Sequence, residues 1–575
     1  MRAFRADLAA AAALLLLLTL PAGAEVGAPT ILVPPIEPMP GIPGQPSPPP
    51  PRSFIPEPGS ADDIQAVPLA PIDPAWAGTL GPADGSLPRS MWQGTPRDFI
   101  VAALPLLQPN NSPALQDLTR RLLLSDAAAP QGQDQPDAPS LTELRVDRLL
   151  ALGRVDGAPI LDVLPHLNMS ETFDRDGVEL RVAANDLTNA CGTVQALVGR
   201  YHNAWWDRAT VACQALSGAY DQAALGLSAM REQKTGRDPA FEALIDTIDG
   251  HRQKLDKLPD PTPLRVTLVA AAKLPLPPDA LAAAGPAALV AWATNDKVPV
   301  TQRLVAAEKA EIDGALPPDA LGLLYAGIVA TPDEQSTVLK NGKLPDEARG
   351  RAILYSIART GITQAQRVLA LNALIADARR RNAFIATARV IAPLLAPLQP
   401  LPELQTFAGD AARVLLAAGN LDAAAPWIVL AQAVELQLVA DLAHPSNDDI
   451  GQLLRAAAPR LTARSAANAP HQLDLLTALL GALGQGTGGV NWDTPLQPTH
   501  AAVLPPAALW LDQQQAAQAG RIGETVLASL VIAATGDHLS NEPVVLARVV
   551  TGLNTIGLEG DARRLAVEAA LAAGI

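Results

Sequence analysis

Aromatic residues supply only 3% of this 575-residue sequence, and cysteine occurs just twice. Alanine and leucine, rather than valine, isoleucine, threonine and aromatics, carry most of the 49% apolar content, so the side chains that favour a large pleated core are scarce. Basic residues are short as well: 43 Lys and Arg stand against 58 Asp and Glu, a formal net charge of -15. A nucleic-acid partner needs a basic face to displace phosphate counterions, so none is expected. Beyond residue 20 no stretch offers about twenty uninterrupted apolar residues, so no membrane span is expected in the mature chain. The histidines, His166, His202, His251, His444, His471, His500 and His538, stand far apart, and neither a His-Glu-x-x-His helix nor a cysteine-histidine zinc spacing occurs. The closely spaced glycines from Gly484 to Gly489 lack the strand, helix and Lys-Ser/Thr pair of a phosphate-binding loop. No catalytic residue, cofactor or metal is assigned.

What is present begins with an export pattern. Arg2 and Arg5 precede an apolar run over residues 8–20, followed by Pro21 and the small residues Ala22-Gly23-Ala24. That order is the order of a secretory signal peptide over residues 1–24, cut after Ala24, and it predicts a periplasmic or secreted protein. Over residues 25–90 proline recurs, as in Pro34-Pro35, Pro38, Pro40, Pro43 and the run 48–51. Such a segment lacks amide donors for helix or sheet and is expected to be a disordered, extended linker, either a plain leader or a docking ligand for a groove.

Helix signals dominate the rest. Thr95-Pro96-Arg97-Asp98 and Ser112-Pro113 place a hydroxyl cap before a proline, and Ser140 with Glu143 makes a capping box. A turn signature then recurs across residues 141–233. Gly153, Asn185 and Gly218 lie 32 and 33 residues apart, each followed two residues later by an apolar residue (Val155, Leu187, Tyr220) and five later by alanine (Ala158, Ala190, Ala223). Glycine or asparagine ends a helix in the left-handed conformation, and the small alanine lets the next helix fold back closely. Helices are predicted over 141–152, 158–164, 173–184, 187–200, 204–216 and 220–233. Regularity fails near Gly250, where Arg252 occupies the apolar slot, and the prolines 259, 261 and 263 mark a break around Asp260. Beyond it, Leu276-Pro277-Pro278-Asp279-Ala280-Leu281 recurs 40 residues later as Leu316-Pro317-Pro318-Asp319-Ala320-Leu321, marking further helix starts. The reversal signature returns at Gly419, Gly520 and Gly557. Three helical blocks are expected, over 91–258, 264–397 and 403–575.

The interval of about 33 residues is the length of a two-helix repeat, and the unit Gly218-Ala219-Tyr220-Asp221-Gln222-Ala223, with Leu227, resembles tetratricopeptide-like repeats. The leucine-glycine pair of that pattern falls on Thr210 and Val211, and no proline closes the unit. The resemblance implies an all-α helical-hairpin solenoid whose concave face holds a protein or peptide. The whole plan, an exported leader followed by alanine-rich helices, resembles a family of secreted alphaproteobacterial proteins.

Cys191 and Cys213 are equidistant from His202, which falls in the turn expected between two helices, so the two thiols are predicted to sit at one height and form a disulfide. Tyr201, His202, Trp205 and Trp206 cluster in that turn, either as a binding hot spot or as a wedge filling the angle between the helices. The expected function is a non-enzymatic interaction or scaffold protein. The alternatives are a cell-wall-active hydrolase with a site assembled from distant residues, for which a deep polar pocket holding two carboxylates or a carboxylate-histidine pair would speak, and a purely structural envelope spacer.

Overall fold

Caps and prolines set the helix starts of this chain, and its computed structural model describes residues 74–132, 138–164, 169–233, 237–341, 347–446, 448–486, 504–535 and 538–575. The expected signal peptide, the proline-rich arm up to residue 73 and most of the glycine-rich stretch after Gly484 lie outside these residues. Among the described residues there are 27 α-helices and one antiparallel pair of two-residue strands, Ala534–Thr535 with His538–Leu539. The fold is therefore all-helical, as the shortage of β-branched and aromatic side chains implies. Among the described residues no helix is long and apolar enough to cross a membrane.

Ser112 accepts a hydrogen bond from the Leu115 amide at the head of the Pro113–Leu124 helix, and Thr262 caps Pro263–Ala271 in the same way. The Ser140 and Glu143 capping box stands ahead of Leu141–Ala151. The two proline-aspartate echoes open the helices Pro278–Ala283 and Pro318–Ala326. The first helix is displaced by one residue from expectation: it runs Arg97–Ala103, with Pro96 in the cap position. Every expected reversal has left-handed backbone: Gly153 at φ 64°, Asn185 at 61°, Gly218 at 86°, Gly419 at 74°, Gly520 at 70° and Gly557 at 82°. The helix expected over 158–164 shrinks to a 3-10 turn, Val155–Gly157, and the single turn Ile160–Val163, because Gly157 and Pro159 both disfavour a helix interior.

The structured chain starts earlier than residue 91. Ala75, Ala77 and Leu87 are buried, the amides of Thr79 and Leu80 donate to the Leu124 carbonyl at 2.8 and 2.9 Å, and the buried Arg145 guanidinium reaches the Ala75 carbonyl at 3.0 Å. The expected linker therefore does not extend to residue 90. Proline thins out here and apolar side chains become frequent enough to pack.

Helices adjacent in sequence pack as hairpins: Glu171–Ala183 on Leu187–Leu197, and Ala204–Leu216 on Tyr220–Gln233. Packing is continuous past Asp260, since Pro263–Ala271 lies against Glu171–Ala183, Ala204–Leu216 and Pro239–Ile248. It is continuous past the prolines near residue 400 as well, where Phe384–Ile391 lies on Gln405–Ala417.

The row of hairpins does not stay open. Arg97–Ala103 and Pro113–Leu124 pack on Ile522–Ala533, and Pro113–Leu124 also packs on Glu559–Ala572. Arg121 holds both carboxylate oxygens of Asp561, at 2.9 and 2.8 Å, in a nearly buried site. Gln116 on Pro113–Leu124 donates to the Ile312 carbonyl at 2.9 Å, and Arg154, in the turn after Leu141–Ala151, to the Gly314 carbonyl at 2.8 Å, so the N-terminal part of the chain also grips its middle.

Candidate functional site

Two places gather side chains that the fold alone does not require. The first is the aromatic turn. The helices Leu187–Leu197 and Ala204–Leu216 are joined there, and Cys191 and Cys213 are bonded across them with alpha carbons 5.5 Å apart. Trp206 is fully buried; Tyr201 stacks on its face at 5.1 Å and Trp205 meets it edge-on at 4.8 Å. The polar edges are satisfied as well. Trp206 Nε1 donates to Glu171 Oε1 at 3.2 Å and the Tyr201 hydroxyl donates to Asp174 at 2.7 Å. Burial and that bond push the Tyr201 phenol up to about 12, so it stays a donor at neutral pH. Trp205 is half-buried under the Arg175 guanidinium, 5.1 Å from its ring, and only His202 of the four faces solvent fully. Packing of this kind fills the angle between two helices, and it leaves little aromatic face for a ligand.

The second place is a cavity of about 490 Å³ where the two ends of the helical run meet the middle. It lies among the loop before Pro113–Leu124, the turn into Phe384–Ile391, the helix Gln405–Ala417 and the helix Glu559–Ala572. Its lining includes the apolar Phe384, Ile385, Leu539 and Leu571 and the charged Arg379, Asp410, Arg413 and Arg464, and the Arg379 guanidinium lies over the Phe384 ring, 5.4 Å from its centre.

These charges form an alternating ladder. Arg379 grips Asp410 through both terminal nitrogens, at 3.2 and 2.5 Å. Asp410 lies 3.6 Å from Arg413, Arg413 lies 3.8 Å from Glu435, and Glu435 bonds to Arg464. The ladder begins and ends with arginine. Its middle rung, Arg413, is mostly buried and donates to the Ile575 main-chain oxygen at 2.7 Å, whereas Arg379 and Arg464 are 45% and 43% exposed. Burial and the neighbouring Arg464 press Arg413 down to about 10, which still leaves it a cation at neutral pH.

Glu568 stands at the edge of the cavity against the head of Pro113–Leu124. It accepts from the Ser112 hydroxyl at 2.6 Å and from the Ala114 amide at 2.9 Å. Burial pushes its carboxyl up to about 7, opposed by those two hydrogen bonds. The cavity thus holds two carboxylates, yet each is committed: Glu568 caps a helix and Asp410 is held by two guanidinium groups.

A further ionic cluster is sealed inside the middle of the chain. Arg351 and the Tyr325 hydroxyl both bond to Glu308, and the cavity beside them is only about 10 Å³, room for one water at most. Among the described residues no three His, Cys, Asp or Glu side chains are gathered to hold a metal ion.

Sequence reasoning located the aromatic turn and passed over the cavity. Its residues are scattered from Asn111 to Gly574, and none belongs to a local motif. The one available signal was Glu568, a lone acid in the apolar run Leu565-Ala566-Val567-Glu568-Ala569-Ala570-Leu571. Comparison of the chain with protein-family models, with curated proteins and with solved structures finds no match.

Proposed function

We propose that this chain is a non-enzymatic, exported interaction protein, a scaffold of tetratricopeptide-like helical hairpins that receives part of a protein or peptide partner in the cavity where its ends close. The observation that carries this reading is the cavity itself: about 490 Å³, the size of a ligand site, lined by apolar side chains and by partly exposed guanidinium groups. The Cys191–Cys213 bond supports export, because such bonds persist in oxidising compartments. Against the hydrolase alternative stands the commitment of both cavity carboxylates. Asp410 is clasped by Arg379, and Glu568 already caps the Pro113–Leu124 helix, which leaves no acid and base facing a common space.

Crosslinking from the envelope fraction, with the full chain as bait, tests the reading. Ala572 lines the cavity and is exposed, so Ala572→Trp fills the space without disturbing the core. A partner captured by the wild type and lost with Ala572→Trp is the expected result. Capture that ignores the substitution would move the binding surface elsewhere. Turnover of cell-wall fragments by the purified protein would replace a scaffold by an enzyme.

A further inference from the structure

Three guanidinium groups of the ladder, Arg379, Arg413 and Arg464, alternate with Asp410 and Glu435, and the two that face open space are the terminal ones, 45% and 43% exposed. A guanidinium carries five N–H donors. Arg379 commits two of them to Asp410; Arg464 commits one to Glu435 and one, at 3.5 Å, to the Gly574 carbonyl. Both arginines line the cavity, and a guanidinium presents the planar fork that suits a carboxylate. Phe384, Ile385, Leu539 and Leu571 line the same cavity and offer a bound molecule carbon contacts.

Resting on the reading of this cavity as a binding site, we propose that its ligand is a carboxylate carried on an apolar body, with the carboxylate against the arginines and the body against Phe384, Leu539 and Leu571. The way Arg413 and Arg464 already hold the main-chain oxygens of Ile575 and Gly574 shows that these arginines take peptide-like acceptors. The same chemistry can come from a small organic acid or from the carboxyl end of a peptide.

Titration calorimetry on the full chain separates these sources. The probes are octanoate, acetyl-Ala-Ala-Leu with a free carboxyl end, and the same peptide with an amide end. At least one carboxylate probe is expected to bind in the micromolar to low-millimolar range, and the amide at least about tenfold more weakly. Binding of octanoate alone assigns the site to a small acid, and binding of the free peptide alone assigns it to a chain end. Arg379→Gln is expected to weaken the bound carboxylate about tenfold while the melting temperature holds, because Arg379 is half-exposed; Ala572→Trp abolishes binding. Equal binding of amide and carboxylate, or failure of both carboxylate probes at millimolar concentration, overturns the proposal. If the probes fail while partner capture stays sensitive to Ala572→Trp, the ligand class is wrong and the cavity remains a binding site. If capture also ignores Ala572→Trp, the cavity reading goes with it.

Discussion

The hairpin array over residues 141–233 and the closure where the Pro113–Leu124 helix meets the C-terminal helices are held in opposite ways. In the array, the reversals at Gly153, Asn185 and Gly218 are left-handed backbone, and the strongest tie, Cys191–Cys213, spans 22 residues. In the closure the ties are Arg121 with Asp561, and Ser112 with Glu568, 440 and 456 residues apart. The first region is determined by near neighbours and the second by partners that only the finished fold brings together. Local chemistry can set helix ends and pairing; it cannot say whether a row of hairpins stays open.

The comparison can be broken first at Trp206. Truncating this fully buried ring in Trp206→Ala removes the wedge of the array and is expected to cost about 3–5 kcal/mol of stability in chemical denaturation. A cost near zero would mean that the helices keep their angle without it. On the other side, Asp561→Ala leaves Arg121 without its main partner in a nearly buried site, an expected loss of about 3 kcal/mol. Hydrogen exchange then sharpens the contrast: amides of Pro113–Leu124 should lose protection while those of Ala204–Leu216 keep theirs. Equal loss in both would show one cooperative unit and erase the distinction. Replacing both cysteines by serine should cost about 3 kcal/mol, through the entropy of a loop no longer closed, and only in oxidised protein.

The remaining contrast is the dependence on pH. Ser112-Pro113-Ala114 and Thr262-Pro263-Leu264 are each met at a helix head by a buried glutamate from a distant helix: Glu568 accepts from the Ala114 amide at 2.9 Å, and Glu179 from the Leu264 amide at 2.9 Å. Burial pushes both carboxyls up to about 7. Between the ordinary carboxyl range near 4.5 and about 7 the folded protein keeps these protons while the unfolded chain has released them. Unfolding free energy is therefore expected to fall as pH rises through that window and to level off above it. Glu568→Gln should flatten part of the slope in melting temperatures recorded from pH 5 to 8. An unchanged slope would assign the dependence to other groups.

Much of the fold was legible because helix caps and reversals are short-range devices. Ser112, Ser140, Gly153, Asn185 and Gly218 each act on residues within a few positions of themselves, so their roles are plain in the sequence. The cysteine pair was legible for the same reason, since equal distances from one turn fix equal heights on two helices. The packing of residues 74–90 was missed because burial of Ala75, Ala77 and Leu87 depends on Leu124 and Arg145, which these residues meet only after the helices have packed. The cavity was silent for a stronger form of that reason: apart from Asp410 and Arg413, three apart on one helix, the steps of the ladder from Arg379 through Glu435 to Arg464 join different helices.

The bond between Ser112 and Glu568 also sets a clock. At roughly 5–20 residues per second of synthesis, the 456 residues between them delay the glutamate by on the order of a minute. For all of that time the nascent Pro113–Leu124 helix carries Leu115, Leu118, Leu122 and Leu123 with nothing from the far end to cover them. Until the late helices emerge, those leucines have only the early part of the chain to pack against.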